Sequence, residues 1–158
     1  MYAQIIPSYQ VTLGDTSQTS GYYFIHAFKN SGTTPSGFHS MILDKSGNLV
    51  YYKKFNFTES DFKLLPDGRM SYAYSPGIPA LAKFQIMDST FNVVDSVQCQ
   101  GILTDNHDLQ LLPNGHYLMM GYEFRIMDLS SYHWFNGNGT PGSTTASVKC
   151  GIIQEGSY

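Results

Sequence analysis

Charge is scarce in this chain. Only 13% of its 158 residues are Asp, Glu, Lys or Arg, and the formal net charge is −3. The basic residues form no cluster beyond Lys53 and Lys54, so no electrostatic surface for nucleic acid is expected. No apolar run reaches the roughly 18 residues that a membrane-spanning helix needs. We therefore expect a chain that binds no nucleic acid and has no membrane span.

Cysteine is equally scarce, with Cys99 and Cys150 as the only two. No CxxC or Cys/His spacing typical of zinc is present, and no nucleotide-binding glycine pattern occurs, so we expect neither a metal nor a cofactor. The two cysteines leave open either a pair of semi-buried thiols or one disulfide. The first residues also lack the basic and apolar regions of a signal peptide.

Helical periodicity is nearly absent, whereas aromatic residues make up 15% of the chain and glycines number 15. Flat aromatic side chains suit half-buried, pleated surfaces. Short apolar runs alternate with turn signals, and Pro-Asp-Gly at 66–68 and Pro-Asn-Gly at 113–115 are typical of tight hairpins. These features predict an all-β fold.

Two stretches of the chain, about 37–75 and about 82–123, repeat each other. The aligned pairs include Asp44 with Asp88, Asn48 with Asn92, Asp61 with Asp108 and Gly68 with Gly115. A period of roughly 40–50 residues that holds four short strands is typical of a propeller blade. A sandwich of β-meanders is the alternative that periodicity alone leaves open.

The length of the chain limits the number of such blades. Residues 21–158 are expected to form about three four-stranded antiparallel blades, preceded by an extension or incomplete strand at 1–20. Closed propellers typically have 4–8 blades, so we expect an unclosed, partial propeller that is truncated at its C-terminus. Its open edge should be prone to association.

The most polar cluster lies at the start of a predicted inner strand. Asp105, Asn106, His107 and Asp108 follow one another there, and either aspartate could orient the imidazole of His107. Asp108 has a counterpart in the first repeat, whereas His107 has none. A structural role for Asp108 and a specific role for His107 are therefore expected, although an ordinary loop histidine remains open.

Two further residues are candidates for the same site. Arg125 ends the following hairpin strand 18 residues after His107, and near-equal arms would return it to the same rim. Its guanidinium could then grip an anion, or it could simply pair with Glu123 or Asp128. Trp134 lies in the one long Gly/Ser/Thr/Asn-rich loop, at 130–149, and is expected to pack over the mouth of the site.

The segments "ILDKSGNLVYYKKF", "DFKLLPDGRMSY" and "DNHDLQLLPNGHYLMMGYE" together make the chain resemble the bacterial arylsulfotransferase family. The resemblance runs from about Gly21 to Glu155. It implies a periplasmic or secreted propeller enzyme that moves a sulfuryl group from an aryl sulfate to a phenol through a sulfohistidine. His107 then looks like a supporting catalytic histidine and Arg125 like the sulfate-binding catalytic arginine. Asp105, Asn106, Asp108 and Trp134 are expected to bind the substrate.

The family's nucleophilic histidine is expected in a later blade, so this chain would be a fragment that carries half of a site. A non-catalytic propeller module of a secreted or cell-surface protein, which binds carbohydrate, peptide or protein, needs the same blades and is the second hypothesis. A small closed β domain unrelated to propellers is the third.

Overall fold

The computed structural model of the protein describes residues 6, 8–12, 20–28, 37–56, 58–133 and 139–157. These residues form ten β-strands and one short 3₁₀ turn at Pro79–Leu81. The strands are β1 Tyr22–Phe28, β2 Phe38–Asp44, β3 Leu49–Phe55, β4 Thr58–Leu64, β5 Met70–Ser75, β6 Lys83–Met87, β7 Val93–Val97, β8 Leu103–Leu111, β9 Tyr117–Met127 and β10 Ala146–Gly156. The prediction of an all-β fold is confirmed.

The strands form three separate antiparallel sheets in chain order. The first sheet contains β1–β2–β3, the middle sheet β4–β5–β6–β7, and the third sheet β8–β9–β10. Each strand pairs with its neighbour in the sequence, so every sheet is a simple meander. The array is not closed. Only the middle sheet has the expected four strands; the other two have three each among the described residues.

Local chemistry explains the repeated hairpins. The Asp44 carboxylate accepts hydrogen bonds from the backbone N–H groups of Ser46 and Asn48, each at 2.8 Å. Asp88 does the same for Thr90 and Asn92 in the equivalent turn. The carboxylate of an aspartate at the start of a turn thereby accepts hydrogen bonds from turn N–H groups that have no backbone acceptor. The other two hairpins place Gly68 and Gly115 at φ values of 86° and 83°, which glycine adopts without strain.

Two hydrophobic cores join the three sheets. Between the first and middle sheets, Ile42 and Phe55 pack against Phe62, Tyr72 and Met87. Between the middle and third sheets the buried residues are Leu65, Ala73, Phe84, Ile86, Val97, Cys99, Leu109, Tyr117 and Met119. The middle sheet is therefore apolar on both faces, because it is covered on both sides.

The sequence repeat does not coincide with the sheets. The unit at about 37–75 contains β2 and β3 of the first sheet followed by β4 and β5 of the middle sheet. The unit at about 82–123 contains β6 and β7 of the middle sheet followed by β8 and β9 of the third. Each repeat thus spans two neighbouring sheets.

The two cysteines are free thiols, Cys99 buried and Cys150 half-buried. Among the described N-terminal residues, Tyr9 donates a hydrogen bond from its hydroxyl to the carbonyl of Gly47 at 3.0 Å. This contact places residues 8–12 beside the turn between β2 and β3.

Candidate functional site

The first strands of the middle and third sheets, β4 and β8, are both irregular where they meet. The register of β4 against β5 shifts between Ser60 and Lys63, and that of β8 against β9 shifts between Thr104 and Leu109. The hydroxyl of Ser60 donates a hydrogen bond to the carbonyl of Asn106 at 2.7 Å. The two bulges therefore lie side by side and bring their polar residues to a shared edge.

Asp61, Lys63 and Asp108 link the two bulges. Lys63 Nζ lies 2.8 Å from Asp61 Oδ2 and also binds the carboxylate of Asp108. Asp61 Oδ2 accepts the backbone N–H of Leu109 at 3.1 Å. The hydrogen bond from Lys63 lowers the pKa of Asp108, whereas burial raises that of Asp61. Asp108 thus has a structural contact, as the aspartate Asp61 at the aligned position of the first repeat led us to expect. No feature of the sequence pointed to a role for Lys63.

His107 and Asp105 form a hydrogen-bonded pair within the β8 bulge. The half-buried carboxylate of Asp105 contacts Nδ1 of His107, and it also accepts the backbone N–H of His107 at 3.1 Å. The imidazole itself is 79% exposed. Because Nδ1 is held by Asp105, Nε2 faces away from that carboxylate and is the nitrogen open to a ligand. The expectation that an aspartate orients this histidine holds for Asp105.

Lys149 of β10 lies beside this pair. Its Nζ lies 3.9 Å from Asp105 Oδ2 and 3.7 Å from the centre of the Tyr122 ring. The ring face holds the ammonium by a cation–π contact while the carboxylate balances its charge. Neither Lys149 nor Tyr122 stood out in the sequence, since β10 follows a long loop and its pairing with β9 could not be read from spacing.

Arg125 does not reach His107, so the expected juxtaposition is wrong. Arg125 pairs in register with Val148 and binds the carboxylate of Glu123. Arg125 lies four residues beyond Gly121, the register partner of Thr104. At about 3.3 Å per residue, this separates Arg125 from the level of Thr104 by roughly 13 Å along the strand. It also shares the strand face of the buried Tyr117 and Met119, opposite to Tyr122 and Lys149.

Two predicted site residues remain, Asn106 and Trp134. Asn106 contributes its backbone carbonyl, not its side chain, to the contact with Ser60. Trp134 lies outside the described residues.

A cleft of about 410 Å³ opens beside the start of β8 and is lined by Cys99, Thr104 and Glu123 among others. Burial raises the pKa of Cys99, so its thiol is a poor nucleophile there. Neither Lys, Arg nor His lines this cleft, which makes it unsuited to an anionic ligand. In the part of the chain that the structure describes, no group of three or more His, Cys, Asp or Glu side chains could hold a metal ion.

Comparison of the chain with protein-family models, curated proteins and solved structures found no match. Within the described ranges, no helix has the length and apolar character required to cross a bilayer.

Proposed function

We propose that the three sheets are consecutive blades of a β-propeller and that the chain takes part in sulfuryl transfer from an aryl sulfate to a phenol. The location that goes with this activity is the periplasm or the outside of the cell. The pair formed by exposed His107 and half-buried Asp105 carries the proposal. A ring held at Nδ1 with Nε2 open to solvent is suited to hydrogen bonding or proton transfer at a ligand.

The architecture supports a propeller in three respects. Each sheet is a meander that packs face to face on the next, and a repeat of four strands generates the array. The first strands of the middle and third sheets lie side by side at one edge of the array. In a propeller that edge faces the central channel, where ligands usually bind.

The chemistry assigns a supporting role to His107. A histidine from a further blade attacks the sulfur, an N–S bond forms, and the S–O bond to the aryl group breaks. The departing phenolate takes a proton from Nε2 of His107, while Lys149 offers a second cation to the sulfuryl oxygens. The acceptor phenol then attacks the sulfohistidine and returns its proton to the same nitrogen.

Isothermal titration calorimetry of the chain with p-nitrophenyl sulfate tests this site. His107→Ala and Lys149→Met should each weaken binding roughly three- to tenfold, since exposure to water screens these charge-assisted contacts. Arg125→Ala is the matched control and should leave affinity unchanged. Equal affinity of all three variants for the ester would reject the site.

A non-catalytic binding module is the second candidate. The high exposure of His107 favours it, since catalytic sites usually exclude water from the reacting groups. Assay of p-nitrophenyl sulfate with a phenol acceptor separates the two candidates for the complete protein. Binding of the ester without any phenol release favours the module, whereas release that depends on the acceptor favours transfer.

A further inference from the structure

A cleft of about 580 Å³ opens between the last strand of the first sheet and the middle sheet. Small-molecule sites have volumes of about 300–1,000 Å³ and combine aromatic rings with a few polar groups. The cleft has this composition, since its lining includes Lys53, Phe55, Asn56, Tyr72, Tyr74 and Gln85. We call it the β3–β5 cleft. It is separate from the pair of His107 and Asp105, which belongs to the third sheet.

The repeat shows that such a cleft is not a general result of packing one sheet on the next. Lys53 and Tyr72 align with Val97 and Met119, which lie between the middle and third sheets. Val97 and Met119 are each 1% exposed and belong to the hydrophobic core there. A cation and a phenol ring therefore occupy, at one interface, the positions that two apolar core residues occupy at the other.

Gln85 differs from its counterpart in the third sheet. Its counterpart is Gln154, because each glutamine pairs in register with the aligned residue of the preceding strand. The amide of Gln154 bridges two sheets: its Oε1 accepts the N–H of Gln100 at 2.6 Å, and its Nε2 donates to the carbonyl of Gln100 at 3.1 Å. Among the described residues, the side chain of Gln85 forms no such bond with Asn56, which aligns with Gln100. The donor and the acceptor of Gln85 are thus left open to a ligand.

Lys53 supplies a positive charge to the cleft. Its Nζ lies 4.8 Å from the centre of the Phe55 ring and 5.7 Å from that of Tyr72, so cation–π contacts restrain the ammonium group. None of the ion pairs in the described part of the chain includes Lys53. Glu59 interacts with Lys53 electrostatically, but burial raises the pKa of Glu59 to about 7. Below neutral pH the charge of Lys53 is therefore not balanced by Glu59.

We propose that the β3–β5 cleft binds an acidic sugar, a uronic acid unit. Its carboxylate accepts a charge-assisted hydrogen bond from Lys53. Its hydroxyl groups both donate and accept, which matches the side-chain amides of Gln85 and Asn56. The half-buried ring of Tyr74 offers an apolar surface to the C–H groups of the sugar ring. An aromatic carboxylate would satisfy Lys53 but would leave both amides without partners.

Isothermal titration calorimetry of the full chain with galacturonate at pH 6 tests the proposal. Galacturonate should bind roughly tenfold or more tightly than galactose, which lacks the carboxylate, because a charge-assisted hydrogen bond is lost. It should also bind more tightly than benzoate, which lacks the hydroxyl groups. Absence of galacturonate binding, or equal affinity for galactose or benzoate, would overturn the proposal.

Variants of the lining residues identify the site. Lys53→Met should lower galacturonate affinity roughly tenfold and remove the preference over galactose, whereas Lys53→Arg keeps the charge and should retain that preference. Gln85→Leu should weaken the binding of both sugars. Lys45→Met, at an exposed lysine of the β2–β3 turn, is the matched control and should bind like the wild type.

Two further measurements separate this site from other effects. Urea unfolding of each free variant shows whether the fold is kept, and a folded Lys53→Met chain with wild-type galacturonate affinity would exclude the cleft as the site. His107→Ala should leave galacturonate binding unchanged, because its side chain does not line the cleft. Loss of binding in that variant would place the sugar at the third sheet and contradict the proposal. The outcome is therefore independent of sulfuryl transfer.

Discussion

At the scale of single residues, Glu59 is the buried carboxyl group of the described residues. It is 1% exposed, and the hydroxyl of Ser40 donates a hydrogen bond to one of its oxygens. Burial raises the pKa of Glu59 to about 7, against the opposing effects of the Ser40 hydrogen bond and the charge of Lys53. Burial raises the pKa of the Tyr51 and Tyr72 phenols, and the charge of Glu59 raises both further.

Stability should therefore fall as the pH rises through neutrality. The folded chain holds a proton on Glu59 that the unfolded chain, with a pKa of 4.5, has lost. The contribution is complete below pH 4.5 and disappears as the pH passes about 7, with an upper limit of roughly 3 kcal/mol. Urea unfolding at pH 5 and pH 8 measures it. Glu59→Gln should remove most of this pH dependence, and an unchanged pH slope in that variant would contradict the assignment.

The sequence predicted the polar site only in part, for a reason that lies in single residues. Asp105, His107 and Asp108 adjoin in the chain, so their cluster could be seen, and the repeat marked Asp108 as structural. Glu59 and Ser40 gave no such signal, because their contact joins residues 19 positions apart on different sheets. Lys149 was missed because its contact with Asp105 also joins residues far apart in the chain, across two neighbouring strand pairs.

At the scale of elements, the β4 bulge depends on Asp61. This residue has a φ of 50°, a left-handed conformation that is uncommon for side chains other than glycine and that Asn and Asp tolerate best. Its carboxylate accepts the N–H of Leu109 and pairs with Lys63. One aspartate therefore shapes its own strand and satisfies the backbone of the next sheet.

Asp61→Ala should destabilise the chain by about 1–3 kcal/mol, because it leaves the N–H of Leu109 without its acceptor and removes the polar side chain that lets Asp tolerate the left-handed φ. Asp61→Asn keeps both the acceptor and the tolerated conformation, and should lose less. Denaturant unfolding measures the series, with Asp95→Ala on exposed β7 as the control. Equal stability of Asp61→Ala and Asp95→Ala would exclude a specific role for Asp61.

The error over Arg125 also arose at this scale. A hairpin of equal arms would have returned Arg125 to the level of His107, but β8 contains extra residues between Thr104 and Leu109, and β9 runs past the start of β8. The turn at 113–115 fixed where the hairpin begins, whereas no sequence signal revealed the bulge that changes its register. Hairpins were therefore predicted more reliably than the relative positions of their far ends.

At the scale of the whole molecule, the middle sheet belongs to both hydrophobic cores. Met87 is buried beneath the first sheet, and Leu109 of the third sheet is buried against the other face. Loss of packing on either side exposes the same central sheet. The two cores should therefore unfold together.

Leu109→Ala and Met87→Ala should each cost about 2–5 kcal/mol, because each leaves a cavity in a fully buried position. Differential scanning calorimetry should show one lowered transition for both variants, and Leu64→Ala, at an exposed leucine, should change little. Two resolved transitions in either variant would mean that the sheets unfold separately.

The all-β class and the array of antiparallel hairpins were predictable from the sequence, because turn residues and apolar runs act locally. The grouping of strands into sheets was not, since the repeat shows which segments resemble each other and not where one sheet ends. The turn from Asp44 to Asn48 joins two strands of one sheet, whereas Asn56, between β3 and β4, lies where the chain passes to the next.

That offset between repeat and sheet has a consequence for how such a chain could grow. A tandem gene duplication of one unit would add the last two strands of one sheet and the first two of its neighbour. The inserted strands would complete a new four-stranded sheet in the interior of the array without interrupting any existing one. Lengthening by whole sheets, with every junction preserved, is thus the form of evolutionary change that this arrangement permits most readily.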